Sequence, residues 1–281
     1  MQYKVYNERN IQVIVTQDQL KASQEENGKD LPVEILGAMS QANDPSFTPR
    51  FREALYHEKQ KARIVAIYGL LSFLNQENIA ELRKKEESIM EEDLNSQISE
   101  KAILQAVLIR LEEGPEGVMN AFFEKNINPL VKSLLLSNYS CSNIPLNKQD
   151  AEFLVAALEA YVNKSEVWIQ KIKRDEYHDD IITCLEGLMR VSEMKSLFNE
   201  IDIEYIVRLK NACIQVLRMK IDSYAKEIIA TFAKELPPEI AFNMLEPIMD
   251  GKAKGDVRKE LELTLKALHQ KELNQEKIDG T

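Results

Sequence analysis

Between Gln97 and Asn138 the chain fits three apolar runs of helical period into about forty residues. Ala102, Ile103, Ala106, Val107, Ile109 and Leu111 belong to one helix, which Gly114-Pro115 breaks. Val118, Ala121 and Phe122 mark a shorter helix over Gly117–Glu124. After a turn at Asn126–Pro129, Leu130, Val131, Leu134 and Leu135 mark a third. None of these helices can bury its apolar face alone, so the unit requires neighbours of the same kind. A loose copy lies upstream: Ala62, Ala66 and Leu71 precede Ala102, Ala106 and Leu111 by forty residues each. This pattern predicts helical layers stacked on one continuous apolar spine.

The remaining segments extend the pattern. Pro32 opens a helix whose Val33, Leu36 and Met39 share a face. Asp44-Pro45-Ser46 interrupts it, and Phe47–Tyr56 forms a short successor. In Lys59–Leu74 the residues Ile64, Val65, Ile67, Tyr68, Leu70, Leu71 and Leu74 wrap more than half the helix, which must therefore be buried between neighbours. Glu77–Ser88 is a charged helix. Further helices are predicted over Asn147–Val162, Glu166–Ile172, Asp179–Val191, Ile203–Met219, Tyr224–Leu236, Ile240–Met249 and Val257–Leu268, with Pro237-Pro238 as a stop. Tyr3, Val5 and Ile11–Val15 suit a short hairpin around Asn7–Asn10, Gln24–Asp30 suits a loop, and a polar tail follows His269. One short helix between two longer ones is the armadillo arrangement. The expected fold is all-α, an armadillo/HEAT-like right-handed superhelix with a short irregular or hairpin N-terminus. Its expected divisions are 1–30, 31–96, 97–268 and 269–281.

Composition narrows the function. With nine Gly and nine Pro in 281 residues, a sandwich or barrel of many tight turns is disfavoured. The net charge of −10 repels phosphate backbones and suits a basic peptide or protein face, so nucleic acid is not expected as a partner. No run approaches the roughly 18 apolar residues needed to cross a bilayer, and the first thirty residues carry no secretory pattern. Cys141, Cys184 and Cys213 are odd in number and scattered, as in a reducing cytosol. The expected location is cytoplasmic.

No catalytic constellation emerges. His57, His178 and His269 lack metal-ligand spacing. Gly251 and Gly255 flank Lys252–Lys254 without a preceding strand, and no Gly-x-Ser-x-Gly turn occurs. Asp175-Glu176-Tyr177-His178-Asp179-Asp180 could hold a metal or basic ligand, but it also suits the acidic start of a helix. The run Glu86–Asp93 suits a solvated linker. Cys184 and Cys213 fall on apolar faces as packing thiols, and Trp168 suits a core position or an interface anchor. No catalytic residue, cofactor or metal is expected.

The order of local patterns resembles the N-terminal regulatory region of diaphanous-type formins, in which a GTPase-binding segment precedes an armadillo domain. Phe51-Arg52-Glu53-Ala54-Leu55 followed by Glu58-Lys59-Gln60-Lys61 is similar to that family's Lys-Arg-Glu-Ala stretch and Glu-Lys-Lys helix. Asn78–Ser88 is similar to the charged helix that follows. Leu111-Glu112-Glu113-Gly114-Pro115-Glu116-Gly117-Val118 occupies the family's Leu-Asn-Asn-Asn-Pro-x-x-Trp, with Phe122 and Leu130-Val131 in place after it. Phe153–Ile172 and Met244–Leu268 resemble later repeats. Glu112, Glu113 and Gly114 replace the Asn triplet and Val118 replaces the tryptophan, so contacts at this corner would differ.

The resemblance implies a GTP-loaded Rho-family GTPase against Lys59, Lys61 and the Glu112, Glu113, Gly114 corner. It also implies a basic amphipathic helix, from a formin's C-terminal tail, in a groove near Ala212, Ile214 and Leu217. The chain would then be a non-catalytic, autoinhibitory portion of a regulator of actin assembly, associated with the cytoskeleton. Lacking a proline-rich or actin-nucleating segment, it would be the regulatory portion only. A generic armadillo or HEAT adaptor, such as an Hsp70 nucleotide-exchange cofactor or a bacterial scaffold protein, also fits the repeats. A repeat-type DNA glycosylase needs a basic groove, which the negative charge opposes.

Overall fold

The computed structural model describes residues 1–73, 75–89, 99–124, 126–141, 144, 146–168, 178–193, 200–219, 221–249 and 253–279, without the side chains of 141, 164–168, 193 and 275–279. These residues are mostly helical, with one small hairpin. The chain divides into two compact units, Met1–Pro145 and Leu146–Thr281. The first unit takes in residues 1–30, 31–96 and 97–145, and the expected 97–268 segment is divided between the two units.

The N-terminal alternation forms strands. β1 (Gln2–Tyr6) pairs antiparallel with β2 (Gln12–Thr16), placing Tyr3 opposite Val15 and Val5 opposite Val13. Tyr3, Val5 and Val15 are buried, whereas Lys4, Tyr6, Gln12 and Ile14 on the other face are exposed. Asn7 closes the turn by accepting from the N–H groups of Arg9 and Ile11, each at 3.0 Å. A short helix, α1 (Gln17–Ala22), follows without having been predicted. Its signal is a capping box: Thr16 Oγ1 accepts from the Gln19 N–H while Gln19 Oε1 accepts from the Thr16 N–H. With Leu20 as its one buried residue, it has no apolar period to find.

In the rest of the first unit the predicted helices appear close to their expected bounds: α2 (Val33–Ala42), α3 (Thr48–Ala54), α4 (Gln60–Leu71), α5 (Gln76–Glu87), α6 (Glu100–Phe123) and α7 (Pro129–Cys141). Asp44 caps a single 3₁₀ turn at Pro45–Phe47 by accepting from the Ser46 N–H. The wrap-around apolar surface of α4 is met by packing against α2, α3, α6 and α7. Of the six residues in the forty-residue correspondence, Ala62, Ala66, Leu71, Ala102 and Ala106 are buried and Leu111 is half-buried. Small side chains on both helices permit α4 and α6 to pack closely.

The second unit contains α8 (Lys148–Trp168), α9 (His178–Glu193), α10 (Ile203–Arg218), α11 (Ser223–Ala233), α12 (Pro238–Met249) and α13 (Gly255–Asp279). Asn147 and Asp150 exchange N–H bonds at the start of α8, at 2.9 and 3.1 Å. The helices stack as two rows. α8 packs on α10 and α10 on α12, while α9 packs on α11 and α11 on α13. Rungs join α8 to α9, α10 to α11 and α12 to α13. The buried stripe of α10, Ile206, Leu209, Ala212, Cys213, Val216 and Leu217, follows the helical period that this two-sided packing requires.

Two expectations change. The helix α8 continues through Glu166 to Trp168, where a separate helix was expected to begin; the rest of Glu166–Ile172 lies outside the described residues. The polar stretch after His269 continues α13 to Asp279. Lys, Glu, Gln and Leu dominate this stretch, and these residues lose little rotamer freedom in a helix.

Candidate functional site

The corner at Glu112–Gly114 is built by a break inside α6. Gly114 has φ 68° and ψ −164°, a conformation open essentially to glycine alone, and no atom lies within 4 Å of where its Cβ would stand. Backbone conformation, not lack of space, therefore demands glycine here. Pro115 then disfavours α geometry at Gly114 and presets the first turn of the second half-helix. At Gly117 the constraint is spatial: an added Cβ would stand 2.1 Å from the Cβ of Glu113.

Glu112 and Glu113 consequently end the first half-helix, where the backbone dipole favours cations over carboxylates. Arg83 of α5 compensates, bonding Glu86 at 2.8 Å and also Glu112. Arg83 remains 45% exposed, so this pair contributes only about 0–1 kcal/mol. Beside it lies a cleft of 380 Å³ bounded by Arg83, Glu86, Leu108, Glu112, Glu113 and Val131. Its lining mixes apolar side chains, Leu108, Ile109, Ile127 and Val131, with polar ones such as Gln105, Asn126 and Asn128.

The other two residues assigned to this surface lie elsewhere. Lys59 pairs with Glu8 at 2.8 Å, and Lys61 donates to the Asn7 carbonyl and to Asn10 Oδ1, both at 2.7 Å. The two lysines clasp the hairpin turn. Arg63, one turn into α4, bonds Glu100 in the first turn of α6. Glu112 lies twelve residues farther along, about 18 Å by helical rise, so the lysines and the corner mark opposite ends of the helix pair. The cation that does meet Glu112 is Arg83, which was not singled out from the sequence. Its spacing to Glu86 marks a helical salt bridge but gives no sign of the link to Glu112.

On α10, Ala212 and Leu217 are 2% and 4% exposed and Ile214 is half-buried. The exposed apolar residues of this helix are Ile203 and Val207, one turn apart. Arg208 joins α10 to α8 through two bonds to Glu159 at 3.0 and 2.6 Å, and stacks on Tyr205 at 4.8 Å. These bonds to Glu159 hold the Arg208 guanidinium more firmly protonated than usual.

Two of the three histidines are held by local contacts. His57 is buried and its Nδ1 accepts from the Lys59 N–H at 2.9 Å. His269 Nδ1 lies 2.7 Å from the Leu265 carbonyl and its ring meets Phe242 edge-on. His178, Asp179 and Asp180 open α9, whereas Asp175, Glu176 and Tyr177 lie outside the described residues. The same is true of Glu91–Asp93, Gly251, Lys252 and the side chains of Trp168 and Cys141. Among the described residues no group of three or more His, Cys, Asp or Glu could hold a metal ion, and no helix is long and apolar enough to cross a membrane. Comparison with protein-family models, with curated proteins and with solved structures gives no match to this chain.

Proposed function

We propose that this chain is a non-catalytic binding module of the armadillo/HEAT-like superhelical class. The observation that carries the proposal is the two-row stacking of the second unit, in which each helix packs on its counterpart in the next pair. Such stacking leaves each row a long face for a partner. In the finer form of the proposal the module resembles the regulatory region of a diaphanous-type formin, and a GTP-loaded Rho-family GTPase docks at the Glu112–Gly114 corner. The exposed Arg83–Glu112 pair and the neighbouring cleft support docking there, because a partner can exchange the pair and cover the cleft together. The basic amphipathic helix and the cytoskeletal, cytoplasmic setting belong to this same proposal. With Ala212 and Leu217 packed inside, such a helix would rest on Ile203, Val207 and Ile214.

The test is retention of Rho-family GTPases by the immobilised chain. Binding of the GTP form alone is expected, with loss on Glu112→Lys; equal binding of the GDP and GTP forms overturns the finer proposal. A helical adaptor without a GTPase partner is the second candidate, favoured by Lys59 and Lys61 being engaged by the hairpin. Faster nucleotide release from an Hsp70 chaperone, without GTPase binding, would select it over the first.

A further inference from the structure

We propose that β2 is an interaction edge that pairs antiparallel with β2 of a second copy of this chain. The bonds Gln17 N–H to Met1 O and Asn7 N–H to Ile11 O fix which backbone groups β1 and β2 direct at each other: those of odd-numbered residues in both strands. The groups of Lys4 in β1 and of Gln12, Ile14 and Thr16 in β2 therefore point to the outer edges. On the β1 side the Lys4 carbonyl is bonded by Gln41 Nε2 of α2 at 2.9 Å. On the β2 side the Thr16 N–H is taken by Gln19 Oε1 at 2.8 Å. Among the described residues nothing bonds the main-chain groups of Gln12 and Ile14, whose side chains are also exposed.

The occupant follows from those groups. A donor and acceptor on alternate residues, at strand spacing, are satisfied by another strand. Exposed edges normally carry a charge, a proline or a bulge against such pairing, yet Gln12-Val13-Ile14-Val15-Thr16 has none of these. Because the run is uncharged, pairing with itself sets no like charges opposite one another. A two-fold axis through Val13 sets Gln12 against Ile14 of the second copy and Ile14 against its Gln12. Four main-chain bonds form, and the Thr16 cap is left intact. The same register brings the half-buried Val13 against Val13 of the second copy. On the outer face it places the two copies of Ile14, 55% exposed in the single chain, diagonally adjacent. Five-residue strands bury little area and each copy carries −10, so the dimer is weak and reversible.

Sedimentation equilibrium of the full chain tests the association, and cysteine cross-linking tests the register. A concentration-dependent monomer–dimer equilibrium is expected. Ile14→Lys should raise its dissociation constant at least about fivefold by setting like charges diagonally across the axis. Ile14 is solvent-facing, so the circular dichroism spectrum and melting curve should stay as in the unsubstituted chain. Val13 and its copy form a pair without direct backbone bonds, about 4.5 Å apart at Cα and within disulfide reach. Val13→Cys should therefore yield a disulfide-linked dimer under mild oxidation, whereas Gln12→Cys should not. A chain monomeric up to its solubility limit, or a dimer indifferent to Ile14→Lys, overturns the proposal. Equal cross-linking from positions 12 and 13 overturns the register. A monomeric chain that instead binds an extended, uncharged peptide at this edge would assign β2 to another protein's strand.

Discussion

Arg63 lays its guanidinium along the Glu100 carboxylate, with Nε 2.9 Å from Oε2 and 3.1 Å from Oε1, and Nη2 2.9 Å from Oε2. Its remaining nitrogen donates to the His57 and Glu58 carbonyls, and Lys85 Nζ approaches Glu100 from α5 at 3.3 Å. One buried carboxylate thereby ties together α4, α5 and α6. Glu100→Ala would leave two part-buried cations facing each other and is expected to cost about 3 kcal/mol in urea denaturation. Glu100→Gln, which keeps an acceptor for Arg63, should cost less. A loss for Glu100→Ala under about 1 kcal/mol would place this contact with ordinary surface pairs.

The corner in α6 separates two reasons for glycine. Gly114→Ala introduces no clash but forces a side chain into a glycine-only conformation, for an expected loss of about 1–3 kcal/mol. Gly117→Ala must displace Glu113 and with it the rim of the cleft, at a similar cost of about 1–3 kcal/mol. Thermal melts would show both losses. Gly117→Ala should also displace the Glu113 side chain, which is read by the shifts of its side-chain carbons. Unchanged shifts there would remove Gly117 from the construction of the site.

Helix positions were legible wherever packing imposes a period. The α4 wrap, the α10 stripe and the Gly114-Pro115 break each leave a mark that burial or backbone geometry later explains. The helix α1 was missed because six residues with one buried leucine show no period, and its capping box was the only signal. The site was less legible. Spacing along the chain puts Lys59 and Lys61 before the corner, but it cannot reveal that the hairpin engages them or that Arg83 reaches Glu112. Those are long-range pairings between helices, set by packing registers that a local pattern does not carry. Ala212 and Leu217 share an apolar face in either role, and only neighbouring helices decide which side is covered.

The two buried thiols should be chemically silent. Burial pushes the Cys213 thiol far above its ordinary range, and burial followed by the charge of Asp180 does the same to Cys184. With thiolate suppressed and access closed, a Cys141→Ser variant should react with a disulfide reagent at pH 8 about a hundredfold more slowly when native than in denaturant. Prompt labelling of either thiol in the native protein would show that the stack around α9 and α10 opens readily.

The clasp between Lys59 and Glu8 should make the hairpin's anchorage depend on pH at both extremes. The hydrogen bond from Lys59 holds the Glu8 carboxyl below the usual glutamate range, against a smaller opposing effect of desolvation. The same bond, then the charge of Glu8, raises the Lys59 ammonium above its ordinary value. For Glu8 the contribution is present above its unfolded pKa and is lost as pH falls through the lowered folded value. For Lys59 it is present below its unfolded pKa and is lost as pH rises through the raised folded value. The clasp therefore holds across the neutral range and releases in acid and in strong alkali. Both groups face solvent, so salt should weaken it as well. Carbon-detected NMR titration of the Glu8 carboxyl should give a midpoint below that of an ordinary glutamate, and Lys59→Met should raise it. If Glu8 titrates normally in the unsubstituted chain, Lys59 is free in solution and returns as a candidate for partner contact.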